Sequence, residues 1–138
     1  MLGNVFSNSF TIDEIKAAHA KVKSGADFPM YIQEIIRLGV KGYENYVSDG
    51  HAIYFGPAEY EIRSEPKYTE LAISDSIDKQ LFHKYLRAHQ QGQSDYLTFC
   101  KYCAETGVEK WTVCLDQMTC TYYDKRGNEI LVEIIPSP

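Results

Sequence analysis

Residues 27–55, DFPMYIQEIIRLGVKGYENYVSDGHAIYF, read as one helix followed by a β-hairpin. Asp27 offers a cap, and Pro29 is tolerated in the first turn because its missing N–H is not needed there. Phe28, Tyr31, Ile32, Ile35 and Leu38 then recur at helical spacing, and Gly39 supplies a left-handed stop. Beyond it, "YENYV" and "AIYF" flank "SDGH". Asp-Gly between two apolar runs is the strongest short hairpin signal, and it predicts a type I′ turn with positive φ at both central residues.

Residues 95–123, DYLTFCKYCAETGVEKWTVCLDQMTCTYY, repeat that pattern at a shift of 68 positions. Gly107 falls on Gly39, Val108 on Val40 and Tyr122 on Tyr54. Tyr96, Phe99, Trp111, Tyr122 and Tyr123 each fall on an aromatic: Phe28, Tyr31, Tyr43, Tyr54 and Phe55. Coincidence of that kind predicts an internal repeat.

Working outward, "TIDE" at Thr11–Glu14 is a capping box. It starts a helix carrying Ile12, Ile15, Ala18, His19 and Val22, which Gly25 should end. "EYEIR" predicts a third strand. Ser76 is the expected cap of a helix bearing Ile77, Leu81, Phe82, Tyr85 and Leu86, which should stop at Gly92. Asp95 caps the next helix. "KWTVCL", "TCTYY" and "EILVEII" complete the strands, with Gln117-Met118 as a two-residue turn and "DKRGN" as the last one. The expected architecture is a single α+β domain over residues 1–138. It is built from two sequence-related αα-βββ halves, about 11–63 and 76–135, with antiparallel hairpins packed on helices.

The repeat also interprets the cysteines. Cys100 and Cys103 fall on Ile32 and Ile35, and Cys120 on Ala52, so three of the four cysteines stand at apolar positions of a core. Cys114 and Cys120 should point to opposite faces of their hairpin. The Cys-x-x-Cys is therefore read as structural, with no metal and no cofactor expected. Zinc and redox uses remain the alternatives, but redox pairs sit at a helix N-terminus and zinc pairs on knuckle turns.

Bulk properties exclude several classes. The net charge is −5 and basic residues are scattered, which argues against a nucleic-acid partner. No apolar run approaches membrane-spanning length, so no membrane association is expected. "MLGNVFSNSF" lacks a basic and then apolar leader, which makes the cytoplasm the expected compartment. There is no Gly-rich phosphate loop, nucleophile elbow or His-Glu-x-x-His, so no catalytic residue is assigned and a non-catalytic reading is favoured.

The candidate binding residues are Asp49, His51, Tyr46 and Phe55. Asp49 and His51, with Ser48, form a polar hairpin tip. Tyr46, Ile53 and Phe55 should form a contiguous cluster on the sheet face opposite Tyr43, Val47, Ala52, Tyr54, Trp111, Val113, Leu115, Cys120 and Tyr122. The latter set should meet the helices. The former is too aromatic for solvent, so helix one, helix three or a partner chain should cover it. Two functions follow. One is an interaction module, a homodimer through this aromatic face. The other is a small-molecule-binding protein or enzyme, ligand unknown, with a pocket between the halves near His51 and His89.

The stretches "DFPMYIQEIIRLGVKGYENYVSDGHAIYFG", "KYTELAIS", "AHQQGQSDYLTFCKYCAETGVEKW" and "TCTYYDKRGNEILVEIIPSP" resemble the YbcV-like bacterial family, domain of unknown function 1398. Some of its members carry the label "phage envelope protein". The resemblance covers the chain after about Thr11 and implies a small α+β domain. It implies no activity, cofactor or site residue.

Overall fold

A computed structural model describes residues 10–23 and 25–136. The reading of the first nine residues as no leader lies outside that set. The chain runs α1 (Ile12–His19), a 3-10 turn (Gly25–Asp27), α2 (Phe28–Leu38), β1 (Gly42–Tyr46), β2 (Ala52–Phe55), β3 (Glu61–Arg63), α3 (Lys79–Gln90), α4 (Tyr96–Glu105), β4 (Lys110–Cys114), β5 (Thr119–Tyr123) and β6 (Glu129–Ile134). All six strands form one antiparallel sheet in the order β3-β2-β1-β4-β5-β6. The fold is a single α+β domain of two layers.

Local chemistry explains most boundaries. The Thr11 hydroxyl accepts from the Glu14 N–H at 3.1 Å, and Glu14 Oε1 accepts from the Thr11 N–H at 2.9 Å. This is the expected capping box. Asp95 likewise accepts from the Thr98 N–H at 2.8 Å. Gly39 and Gly107 end α2 and α4 with φ of 106° and 93°.

Four expectations are corrected. Asp78, not Ser76, caps α3, accepting from the Leu81 N–H at 3.1 Å, and Ile77 lies outside the helix. α1 stops at His19, leaving Val22 in the following turn. Asp27 occupies the cap position of α2, but its carboxylate accepts from the Lys23 N–H instead. The β1–β2 connection is no two-residue type I′ turn. Tyr46 and His51 close a loop in which Gly50 is left-handed (φ 78°), and Asp49 accepts the His51 N–H at 3.0 Å. A carboxylate two residues before a donor makes this side-chain turn in place of a second positive φ.

The register of β4 on β5 differs by two from that expected: Cys114 faces Thr119 and Val113 faces Cys120. A shift of two keeps side-chain parity. Cys114 and Cys120 therefore still point to opposite faces. Cys100, Cys103 and Cys120 are buried among the core residues, as read. Burial raises the Cys100 and Cys103 thiols and pushes Cys120 up to about 12, so all three are protonated, unreactive core groups at neutral pH.

The two halves share one element order, and their junction is symmetric. β1 pairs with β4 such that Glu44 faces Thr112, its own counterpart at the shift of 68. Hydrogen bonds recur in matched pairs. Val47 N–H donates to Glu109 O (2.9 Å) and Leu115 N–H to Lys41 O (3.0 Å); Lys41 N–H donates to Phe55 O and Glu109 N–H to Tyr123 O, both at 2.8 Å. Tyr102 breaks the pattern, falling on Glu34 and stacking instead on Tyr85 at 3.8 Å.

All four described helices bury their apolar stripes in the cluster that holds Tyr43, Val47, Ala52, Tyr54, Trp111, Val113, Leu115, Cys120 and Tyr122. Phe82 of α3 meets Tyr122 at 5.0 Å and Phe99 of α4 meets Trp111 at 5.9 Å. That is the sheet face predicted to meet helices. Neither α1 nor α3 covers the opposite face, contrary to one of the expectations for it. Among the described residues no helix is long and apolar enough to cross a membrane.

Candidate functional site

The open sheet face carries the candidate residues. Tyr46 and His51 end β1 and begin β2, held opposite each other by the Tyr46 N–H donating to His51 O at 2.9 Å. Their rings stack at 4.5 Å with an interplanar angle of 4°. His51 Nδ1 lies 2.6 Å from Asp49 Oδ1. A carboxylate there keeps the proton on Nδ1 and leaves the Nε2 lone pair free to accept a proton or a ligand. Gly50 makes the approach tight: a side chain there would meet the Tyr68 ring, whose Cε2 lies 2.7 Å from an added Cβ.

The strip continues across the junction of the halves. The Tyr46 hydroxyl donates to Glu44 Oε1 at 3.1 Å, and Lys110 Nζ sits 3.4 Å from Glu44 Oε2. The same ammonium lies over the Tyr46 and Tyr123 rings at 5.5 and 5.6 Å, within cation–π range. Burial and Glu44 raise the Tyr46 phenol. Burial lowers the Lys110 ammonium, but Glu44 and its phenol neighbours more than reverse this.

For Asp49, burial would raise the carboxyl, but the His51 backbone N–H and ring outweigh it, and the group sits below its ordinary value. The stabilisation is therefore full above the ordinary carboxylate range and is lost as pH falls through the lower folded value. Asp49→Asn should flatten the acid limb of melting temperature against pH. An unchanged acid limb would show that the 2.6 Å contact does not persist in solution.

The structure thus brings Asp49, His51 and Tyr46 together and leaves Phe55 apart. Phe55 faces Gly42 on one side and Glu61 on the other. Glu44, opposite Ile53, interrupts the expected Tyr46–Ile53–Phe55 cluster. Glu44, Lys110 and Tyr123 lie outside the candidate set, although strand alternation puts Glu44 and Tyr123 on this face. Lys110 falls on Gly42 at the shift of 68, so the pattern did not mark it. The β1–β4 register, centred on Glu44 and Thr112, brings Lys110 opposite Tyr46.

At the far edge, Val132 and Ile134 of β6 are 50% and 73% exposed, and they pair with Thr121 and Thr119 of the same open face. An open groove of about 400 Å³ lies elsewhere, lined by Leu71–Ser74, Lys101, Ala104 and Glu105. A second concavity of about 230 Å³ is lined by His83, Leu86, Arg87, Gln90, Gln91 and Glu133. Neither includes a candidate residue. His89 stacks on Phe99 of the helix-side core at 4.4 Å and binds Ser94, so it does not join the Asp49–His51 strip on the open face. Among the described residues no three His, Cys, Asp or Glu side chains are grouped to hold a metal ion.

Fold and site define a two-layer α+β domain with one helix-covered sheet face and one open face bearing a paired, aromatic-lined charge strip. A family model described as "Protein of unknown function (DUF1398)" matches residues 16–134, and the chain belongs to that family. The resemblance read from the sequence is borne out at family level. No curated protein matches the chain.

Proposed function

We propose that this chain is a non-catalytic interaction module that self-associates through its open sheet face. One observation carries the reading: every described helix packs on the other face, while this one leaves Val132 and Ile134 exposed on the face that also holds half-buried Tyr46, Phe55 and Tyr123. Exposed apolar residues on an uncovered sheet face mark association sites, and a two-fold axis lets one face serve both partners. Light scattering tests it. Wild type should be dimeric, and Phe55→Glu and Ile134→Glu should be monomeric with unchanged circular dichroism. Wild type that stays monomeric at high concentration rules the reading out.

A second reading has its own observation. The 2.6 Å Asp49–His51 contact beside Tyr46 and Lys110 is a poised imidazole at the junction of the halves. It supports a small-molecule site there, tested by whether a ligand screen followed by His51 ring resonances finds a binder that His51→Ala abolishes. The matched hydrogen-bond pairs and the Glu44–Thr112 register support an internal duplication as the origin of the halves. Four free thiols, three of them buried, support a reducing, cytoplasmic setting.

A further inference from the structure

On the helix side of the molecule, the segment after β3 crosses the tip of the β1–β2 hairpin. The Lys67 N–H donates to Asp49 O at 2.7 Å, and the Tyr68 hydroxyl to Val47 O at 2.6 Å. This strap brings Lys67 Nζ over the Tyr96 ring, 5.7 Å from its centroid, at the start of α4. From α1, the His19 ring meets the Tyr31 ring edge-on at 5.2 Å and the Tyr96 ring at 6.3 Å. Lys16 lies one turn before His19 on the same helix face, close enough for its charge to act on Lys67. Elements from both halves therefore converge on one phenol ring, with Lys67 and His19 against it and Lys16 one helical turn from His19.

Two features set this corner apart from an ordinary basic surface. First, its charges are uncompensated. The described ion pairs are Lys21–Glu34, His51–Asp49, Arg63–Glu61, Lys110–Glu44 and Lys125–Asp75, and none involves Lys16, His19 or Lys67. Lys16, His19 and Lys67 are exposed, yet partial desolvation and the Lys67 charge hold the His19 imidazole below its ordinary value, and partial desolvation with Lys16, against an opposing pull from Cys100, does the same to the Lys67 ammonium. Second, the ring at the centre is fixed from below by a buried polar group. Asn45 and Thr106 are the only buried polar residues described, and Asn45 Nδ2 donates to the Tyr96 hydroxyl at 2.8 Å. The other half has Val113 at the position of Asn45. A satisfied polar network in a core rigidifies what it touches.

We propose that Lys16, His19 and Lys67, arranged around Tyr96, form a binding site for a phosphate group. Two ammonium groups beside an imidazole N–H match phosphate oxygens better than a single carboxylate, and charge-assisted N–H bonds from the two lysines would supply the counter-charge that the protein omits. Free phosphate and the phosphate of a small metabolite share this chemistry. The site lies on the helix side and is independent of self-association through the open face.

The test is a ¹H–¹⁵N NMR titration of the full chain with inorganic phosphate, and in parallel with glycerol phosphate, at constant ionic strength set by chloride. Saturable shifts are expected at Lys16, His19, Lys67 and Tyr96. Tighter binding of glycerol phosphate would assign the site to a phosphorylated small molecule, and equal or weaker binding to the free ion. Lys67→Met should weaken binding by about tenfold or more. Lys67→Arg should retain it, and so should Lys125→Met, which removes a distant lysine. Bound phosphate should also raise the pH at which His19 titrates, against the opposing charges of Lys16 and Lys67 that face it alongside the Tyr31 and Tyr96 phenols. Shifts that do not saturate, that chloride reproduces, or that survive in Lys67→Met would overturn the assignment.

Discussion

Phe82→Ala is expected to cost roughly 3–5 kcal/mol of folding stability, the range for emptying a large aromatic from a packed core. Phe82 is fully buried and is the main tie between α3 and the sheet, its ring edge against Tyr122 at 5.0 Å. Leu86 is the only other buried residue of α3, and the stacks of Tyr85 on Tyr102 and His89 on Phe99 tie the helix to α4 rather than to the sheet. Against a typical stability of about 5–15 kcal/mol, a loss of that size would leave the variant marginal. Urea unfolding followed by circular dichroism measures it. Ile77→Ala, at a 39% exposed position outside the helix, is the control and should change stability by less than about 1 kcal/mol. A Phe82→Ala loss no larger than the control's would mean that α3 does not dock on Tyr122.

The second large effect separates two glycines with the same backbone geometry. Gly107 and Gly127 have φ of 93° and 82°. An added Cβ at Gly127 meets nothing within 4 Å. Gly127→Ala should therefore cost only the left-handed penalty, about 1 kcal/mol. At Gly107 the same atom would lie 2.7 Å from the Ser76 carbonyl oxygen and 3.2 Å from Ile77 Cα. Those are backbone atoms, and the segment is anchored by the Ser74 N–H on Ala104 O (2.8 Å) and the Asp78 N–H on Thr106 O (3.1 Å). It cannot swing aside as a flexible side chain would. Gly107→Ala should cost at least about 3 kcal/mol in the same measurement. Equal costs at the two positions would show that the approach to α3 is not seated on the end of α4.

Where the sequence reading succeeded and where it slipped follows from the range of the interactions involved. The Thr11 box, the Asp95 cap and the Gly39 and Gly107 stops are settled within four or five residues of chain, and each was legible. Ser76 reads as a cap because it carries a capping oxygen, but so does Asp78 two residues on. The choice falls to Asp78 because its carboxylate reaches the Leu81 N–H, while the Ser76 N–H and carbonyl are already engaged by the Ser74 hydroxyl. The Asp49-Gly50 hairpin was placed correctly but its turn was not, because the Asp49 carboxylate offered the His51 N–H a bond that a type I′ geometry does not need.

Periodicity by itself determined where the helices and strands lie to within a few residues and which sheet face is apolar, and the 68-residue pattern placed Cys100, Cys103 and Cys120 in a core. Side-chain alternation has a period of two, so even the two-residue register error on β5 left every face assignment intact. Only the tertiary structure decided that β1 lies against β4, and with it the partnership of Tyr46 with Lys110 and Glu44, the separation of Phe55 from His51, and the gathering of Lys16, His19 and Lys67 around Tyr96. Those contacts join residues from about 30 to nearly 80 positions apart. No local preference encodes them. They follow from burying both apolar half-sheets under four helices at once, a global requirement that selects one strand pairing among many with similar local energies.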